Sequence, residues 1–395
     1  MKNRLLFLLV VTSLSLLPRQ GRTQPAPAPD SCTLRISLLT IGVGDDLYSI
    51  FGHTGIRATD PATGMDVVFN YGTFDFSDPH FYQKFIRGKL LYYLSADRFS
   101  DFMAAYREEE RSVTEQVLNL SCVDRESIFA FLRNNARPEN RSYKYDFFYD
   151  NCSTRPRDVF AGILGNSWQM PDQLIPQGST FRLLFNPYMD RHAWSRLGMN
   201  LLLGRPADVM VNSWQSMFLP DYLMKALDST SVNGQLLVRE KRVLYTPLQT
   251  ARPAPPFWEM PLWWFIALGV LLLLFSVGPG QRYKSIQPWI DRCLFFLTGL
   301  LGCLMLFMWY GTDHQACSQN WNLLWAIPLH LPFSFFTQRN ALWVKRYALL
   351  TFALALLVLA GWLFLPQALP PEMFPVILVL AVRAFRIYKR FRFPV

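Results

Sequence analysis

The sequence predicts two architectures in one chain: an α+β exported domain, followed by an all-α bundle of about five transmembrane helices. Three observations predict this. Apolar residues make up 51% of the 395 and charged residues only 17%, against about 25% charged in ordinary soluble chains. The apolar residues gather at the two ends and leave a stretch of globular composition between them. The Lys and Arg behind the +10 net charge sit beside the apolar stretches and not on a separate basic face. The apolar content excludes disorder, and six Cys in this length exclude a disulfide scaffold. The charge placement argues against a nucleic-acid partner.

Residues 1–22 read as a signal peptide: Lys2 and Arg4, an apolar run over 5–17, then polar, Pro-rich sequence. Pro29, Asp30 and Ser31 before Cys32 do not form a lipobox. Residues 30–245 form the exported domain, with a small, mostly antiparallel sheet. Residues 34–41 are β-rich, and 53–59 and 66–71 flank Asp60-Pro-Ala-Thr-Gly64, a hairpin loop. Phe99, Phe102, Met103 and Tyr106 fall at helical spacing, as do Ile128, Phe129 and Leu132 behind the candidate N-cap Asp124. Residues 113–118 read as another strand, and 170–240 as helical. Cys32 and Cys122 suit an inert or disulfide role in an oxidising compartment. A Pro-rich linker, 246–257, ends the domain.

Residues 258–395 form the five-helix domain, with spans at 258–277, 293–310, 321–336, 347–365 and 373–388. The first and fourth approach the roughly 20 residues that a bilayer core requires. The third is short and carries Pro328 and Pro332, so a kinked or re-entrant course is expected. Arg282, Lys284 and Arg292 mark the first loop, and Arg339, Lys345 and Arg346 the third. Arg383, Arg386, Lys389, Arg390 and Arg392 crowd the tail, while loops 311–320 and 366–372 hold no Lys or Arg. The alternation puts the basic loops in the cytoplasm and 30–245 on the other side, where a signal peptide would also send it. A multi-pass protein of the bacterial inner membrane, its exported domain in the periplasm, is the expected setting.

The five His show no metal-helix spacing and there is no Cys-x-x-Cys, so neither a metal nor another cofactor is expected. A Gly-x-Ser-x-Gly elbow, a phosphate loop and a dinucleotide fingerprint are also missing. Two segments carry chemistry. In Ser49-Ile-Phe-Gly-His53-Thr-Gly-Ile-Arg57 a His opens a strand directly after Gly52. In Tyr145-Asp-Phe-Phe-Tyr-Asp-Asn-Cys152-Ser-Thr-Arg155 a Cys precedes a helix, announced by Pro156 and by Val159, Phe160, Ile163 and Leu164. A thiol at a helix N-terminus should have its pKa lowered from about 8.5, and the free helix N–H groups can hold an oxyanion. His53 would take the thiol proton. The plainer reading is a buried Cys and a His satisfied in a core.

The order His53-Thr-Gly-Ile56 on a strand, then Asn151-Cys152 at a helix start, resembles the permuted branch of NlpC-like cysteine enzymes that includes the lecithin:retinol acyltransferase relatives. Ser153-Thr154 stands where those relatives have Glu-His. Residues 38–225 are more closely similar to the Lnb N-terminal periplasmic domain family. The matching strings are Phe51-Gly-His-Thr-Gly-Ile56, Phe69-Asn-Tyr-Gly-Thr-Phe-Asp-Phe76, Arg87-Gly-Lys-Leu90, the string from Tyr145 to Cys152, and Phe218-Leu-Pro-Asp-Tyr-Leu223. Five membrane spans, and Thr312-Asp-His314 leading to Asn322-Leu-Leu-Trp325, fit the same family. The resemblance implies transfer of an acyl chain from a membrane phospholipid to the N-terminal diacylglyceryl-cysteine of lipoproteins, through a thioester on Cys152. It also implies a polar residue that orients His53 from the neighbouring strand: Asn70, with Tyr71 as the alternative. Tyr71, Asn151, Arg155, His314 and Asn322 are the expected substrate contacts, with Arg155 and Arg157 placed for phosphate. A membrane-tethered cell-wall amidase or peptidase, a phospholipase with water as acceptor, and a non-enzymatic scaffold are the alternatives.

Overall fold

The computed structural model describes residues 32–248, 255–278 and 281–390. The signal peptide expected at 1–22 and the middle of the 246–257 linker lie outside the described residues. Strand β1 (Arg35–Ile41) is buried along all but its first residue, the pattern of a short apolar run in the middle of a sheet. It pairs with β2 (His53–Asp60), which turns into β3 (Met65–Thr73). The turn forms as the sequence suggests: Asp60 Oδ1 accepts from Ala62 N at 3.0 Å, and Gly64 takes φ +71. With β4 (Leu91–Arg98), β5 (Val113–Leu118), β6 (Ser142–Lys144) and β7 (Val238–Tyr245) these strands form one antiparallel sheet, in the order β7-β5-β1-β2-β3-β4-β6.

The reading of 170–240 as helical fails at its C-terminal end, where Ser231–Val232, Gln235–Leu236 and the start of β7 are strand. The centre of β7, Arg239-Glu240-Lys241-Arg242, is exposed, and a charged, solvated run hides a strand that closes a sheet edge. A small ribbon (Trp168–Gln169, Ser231–Val232, Gln235–Leu236) lies apart from the main sheet.

Helix α1 (Phe81–Ile86) follows β3. Helix α2 (Phe99–Glu108) lays Phe102 and Met103 on Leu39, Ile41, Val68 and Val113. Helix α3 (Cys122–Asn135) is capped by Ser121 and not by Asp124: Ser121 Oγ accepts from Asp124 N at 3.2 Å. The extended backbone at Ser121 suits a cap, and Asp124 then sits in the first turn, where its charge favours the positive end of the dipole. Beyond β6 come α4 (Thr154–Leu164), α5 (Phe181–Phe185), α6 (Ala193–Leu202) and α7 (Pro220–Ser229). A second core gathers Phe148, Phe181, Phe185 and Phe218, and includes Cys317 from the C-terminal region.

Among the described residues the C-terminal region has four long continuous helices: α8 (Pro261–Val277), α9 (Gln281–Tyr310), α10 (Leu342–Ala360) and α11 (Met373–Arg390). The expected third span, 321–336, is not a helix among the described residues. A 3-10 turn (Trp321–Leu324) and one short helix (His330–Phe333) make a broken, partly buried segment in which Asn322, Trp325, Ala326, His330 and Phe333 face inward. Pro328 and Pro332 explain the break, since each removes an N–H. Gly299 and Gly302 of α9 make room for it: a Cβ on either would come within 2.1 Å of the backbone of Leu331 or Ala326. Irregular backbone at membrane depth is tolerated where protein covers it.

The two regions meet on loop 311–320. Leu197 and Leu201 of α6 pack with Met305, Trp325, Met373 and Ile377. Gly204 N donates to Ala316 O at 2.9 Å, and a Cβ on Gly204 would meet Ser318 O at 1.8 Å. Gly204→Ala is therefore expected to destabilise the protein by about 1–3 kcal/mol, the usual cost of overpacking. Gly162→Ala, at a helical position with open space around it, should be neutral or stabilising. Thermal unfolding in detergent compares the two.

Candidate active site

Gly52, at φ +79, turns the chain into β2, so that His53 is the strand's first residue. On the neighbouring strand, β3 bulges between Asn70 and Thr73, with Gly72 at φ +94. Cys152 fits beside this bulge. A Cβ on Gly72 would lie 3.4 Å from Cys152 Cβ and 3.6 Å from His53 Cε1, so thiol and imidazole flank one glycine.

His53 Nε2 meets Asn70 Oδ1 at 2.5 Å. An amide oxygen can only accept, so Nε2 carries the ring proton and Nδ1 keeps its lone pair. Thr54 Oγ1 donates to the Cys152 carbonyl and ties the two segments together.

The string from Tyr145 to Cys152 is mostly a device for placing the thiol. Asp146 Oδ1 accepts the N–H groups of Phe148 and Tyr149 at 2.9 and 3.0 Å, which forms the turn. Phe147 and Phe148 anchor it in the aromatic core. Asn151 Oδ1 accepts from Ser153 N and Thr154 N at 2.7 and 2.9 Å, and its Nδ2 donates to Phe147 O and Phe218 O.

That cap overturns one expectation. The first N–H groups of α4 are engaged by Asn151 and do not face the sulfur. Burial dominates instead and pushes the Cys152 thiol up to about 11. The backbone N–H groups of Thr54 and Cys152, the Ser153 hydroxyl and the Arg111 charge all pull the other way without cancelling it. Burial also pushes His53 down to about 4; the Asn70 hydrogen bond opposes that shift and the Arg111 charge adds to it. At neutral pH the pair rests as thiol and neutral imidazole.

Both groups open on a cavity of about 620 Å³ lined chiefly by apolar and aromatic side chains, among them Phe51, Phe74, Tyr92 and Tyr145. Met199 and Leu202 of α6 and Met308 of α9 line it too, as do Asp313 and His314 of loop 311–320. The cavity thus reaches from the thiol to the end of a helix of the C-terminal region.

Of the expected substrate contacts, Asn151 and His314 line this cavity and the others do not. Tyr71 is buried and its hydroxyl donates to Asn135 Oδ1 at 2.6 Å. Arg155 is held by Asp150 at 2.6 and 2.8 Å and lies over the Tyr143 ring. Arg157 pairs with Asp158, donates to Trp214 O and stacks on Trp214, so neither arginine is placed for phosphate. Asn322 is wholly buried, its Oδ1 accepting from Trp325 Nε1 and its Nδ2 donating to Asn320 Oδ1. These four side chains hold the structure together. His314 lines the cavity, but its Nε2 faces the carbonyls of Phe85 and Ile86.

Sequence reasoning missed Arg111, which lines the cavity almost fully buried, with Nε on Gly42 O and Nη1 on Glu109. It ends the charged run Glu108-Glu109-Glu110-Arg111, which reads as a solvated helix end and gives no signal. Tyr106, whose ring faces that of His53 at 6.2 Å, stands out in the sequence only by its helical spacing with Phe99, Phe102 and Met103.

The family model described as Lnb N-terminal periplasmic domain matches residues 28–187, and the model described as Lnb transmembrane domain matches 255–392. The chain belongs to the Lnb-type lipoprotein N-acyltransferase family. No curated protein and no solved structure matches it. As an Lnb protein it is a membrane protein with a periplasmic part and an N-acyltransferase-type function. The periplasmic sheet runs beyond the matched N-terminal residues, because β7 completes it.

A raised thiol has a measurable signature. Alkylation of Cys152 in the full-length protein should climb about tenfold per pH unit from pH 6 to 9, without the neutral plateau of a pre-formed thiolate. Arg111→Gln removes a charge that favours the thiolate, so alkylation at fixed pH should slow. A plateau below pH 8, or an unchanged Arg111→Gln rate, would contradict this electrostatic picture.

Proposed function

We propose that this Lnb protein is an apolipoprotein N-acyltransferase that carries an acyl chain from a membrane phospholipid to the α-amine of a lipoprotein's diacylglyceryl-cysteine, on the thiol of Cys152. One observation carries the reading: a thiol with a His-Asn partner ends an apolar cavity that extends to Met308 of α9. Phe51, Phe74, Phe85, Leu202 and Met308 give this cavity walls that suit hydrocarbon better than a polar peptidoglycan stem, which weighs against the amidase. The setting we infer is the inner membrane, with the cavity on the periplasmic side and the basic loops in the cytoplasm. The contact of the periplasmic domain with loop 311–320, which lacks Lys and Arg, supports that orientation.

In this mechanism the neutral imidazole acts as general base while sulfur attacks the ester carbonyl. The S–C bond forms as His53 Nδ1 takes the thiol proton. The tetrahedral oxyanion is held by the N–H groups nearest the sulfur, those of Cys152 and Thr54. Collapse breaks the ester C–O bond, and His53 returns its proton to the departing lysophospholipid. A thioester remains. The lipoprotein amine then attacks it, His53 accepts the amine proton and passes it to the leaving thiolate, and the N-acylated product departs. Asn70 holds the ring so that Nδ1 faces the sulfur throughout.

Purified protein incubated with phospholipid and a diacylated lipopeptide should yield lysophospholipid and a lipopeptide heavier by one acyl group, weighed by mass spectrometry. Free fatty acid in place of the heavier lipopeptide would make the protein a phospholipase. Cys152→Ala should abolish both products, and triacylated lipoproteins persisting in cells that carry only this variant would refute the role. Asn70→Ala should lower kcat about tenfold to a hundredfold while leaving thermal stability near that of the wild type, because a mobile ring still finds the productive geometry part of the time.

A further inference from the structure

Helix α1 shows an apolar face to the outside. Tyr82, Phe85 and Ile86 are 75%, 50% and 52% exposed, and Phe76 beside them is 67% exposed. Exposed apolar groups clustered in this way on a small helix call for an occupant. The position of α1 says which. Asp313 N donates to Arg87 O at 2.8 Å, and His314 Nε2 lies 3.2 and 3.1 Å from the carbonyls of Phe85 and Ile86. Lys144 pairs with Asp313 at 2.9 Å. Gly88 permits the contact, since its φ is +66 and a Cβ there would press on Asp313 and His314 at 3.3 Å. These bonds tie the end of α1 to residues that follow Tyr310, the last residue of α9, by only three or four positions. The apolar face is therefore pinned at the rim of the membrane domain. Arg87 and Lys89, both exposed, flank it, as basic residues flank helices that lie in a lipid interface.

A continuous aromatic path leads inward from this face. Phe81 packs on Tyr82 and Phe85, Phe76 on Phe81, and Phe74 on Phe76. Phe74 meets Tyr92 at 5.3 Å, and Tyr92 stacks on Tyr145 at 4.5 Å. Tyr145 in turn borders Gly72, the glycine between His53 and Cys152. Phe74, Phe76, Phe85, Tyr92 and Tyr145 all line the cavity.

We propose that α1 with the Phe74–Phe76 segment is a lipid portal. Tyr82, Phe85 and Ile86 sit among the lipids of the leaflet beside α9, and an acyl chain of a membrane diacyl lipid leaves the bilayer along Phe85, Phe76, Phe74 and Tyr92 to reach Cys152. The portal rests on the acyl-transfer reading for its purpose, but its contact with lipid does not. The full-length Cys152→Ala protein, in vesicles of phosphatidylethanolamine and phosphatidylglycerol, is given benzoylphenylalanine at position 82, 86 or 243. Val243 is an equally exposed apolar residue on β7, the far edge of the sheet. Irradiation should give lipid adducts at 82 and 86 many-fold above those at 243; equal yields at all three would overturn the portal. In the catalytically intact protein, Tyr82→Asp with Ile86→Asp should cut acyl transfer from vesicle lipid about tenfold while iodoacetamide still alkylates Cys152 at the wild-type rate. Undiminished transfer would also overturn it. If wild-type protein shows no transfer but the adducts form, the acyl-transfer reading falls and the lipid contact stands.

Discussion

Backbone meets backbone where the periplasmic domain rests on loop 311–320, and Gly88 and Gly204 are the two points that allow it. Around Gly204 the seat is polar and satisfied. Arg182 is buried and holds Asp208, Asn200 Oδ1 and the carbonyl of Leu203. Asn320 Nδ2 donates to Leu201 O, while Gln367 donates to Leu203 O and accepts from Trp321 N. A buried network with most donors and acceptors paired resists sliding, because any shift leaves polar groups unpaired away from water. The height of Cys152 above the membrane helices follows from this seat. A flexible tether would let the thiol sample the whole space above the bilayer; a fixed seat holds its cavity against α9.

The same burial that builds the cavity decides the state of the thiol. A helix N-terminus lowers a thiol pKa when its N–H groups point at sulfur and water stays near. Here Asn151 takes those groups and Cys152 is buried, so desolvation wins. In the proposed reaction this arrangement has a use. A neutral pair carries no charge into an apolar cavity, so a lipid can enter without stripping water from a thiolate. Charge develops only in the transition state, where the remaining N–H groups and the Arg111 guanidinium already stand. The burial of Cys152 would also shield the proposed thioester from hydrolysis, and that shielding would separate acyl transfer from lipolysis.

The strands at 35–41, 53–60, 65–73 and 113–118 were legible because each alternates or runs apolar between clear turn residues. That His53, Asn70 and Cys152 come together was legible for a different reason: each stands at a punctuated position, after Gly52, before Gly72 and before the helix opened by Pro156. Roles that depend on partners distant in sequence were not legible. Tyr71 could have faced the ligand or the core, and only Asn135 on α3 decides it. Arg155 offered a free charge until Asp150 claimed it. Asn322 looked like a polar residue entering a span, the usual mark of a functional cavity, and it is one link in a junction. The irregular course of the third span was legible from Pro328 and Pro332, but the room that Gly299 and Gly302 of α9 make for Leu331 and Ala326 was not.

These misreadings share a cause, and it bears on how the family's two domains should be regarded. Polar residues in loop 311–320 and at 322 looked like substrate groups because their partners on the exported domain lie far away in the sequence. Taken together, much of their hydrogen bonding runs from one half to the other: Asn320 to α6, Asp313 and His314 to the end of α1, Gln367 to Leu203. What remains for the ligand is apolar wall contributed by both halves, Met199 and Leu202 from one and Met308 from the other. A cavity with such a wall has no complete form in either half. The membrane region is then more than an anchor, since it supplies one side of the cavity on which Cys152 opens. In the proposed reaction that shared apolar wall is the part of the cavity that would favour a hydrocarbon chain over a peptide stem.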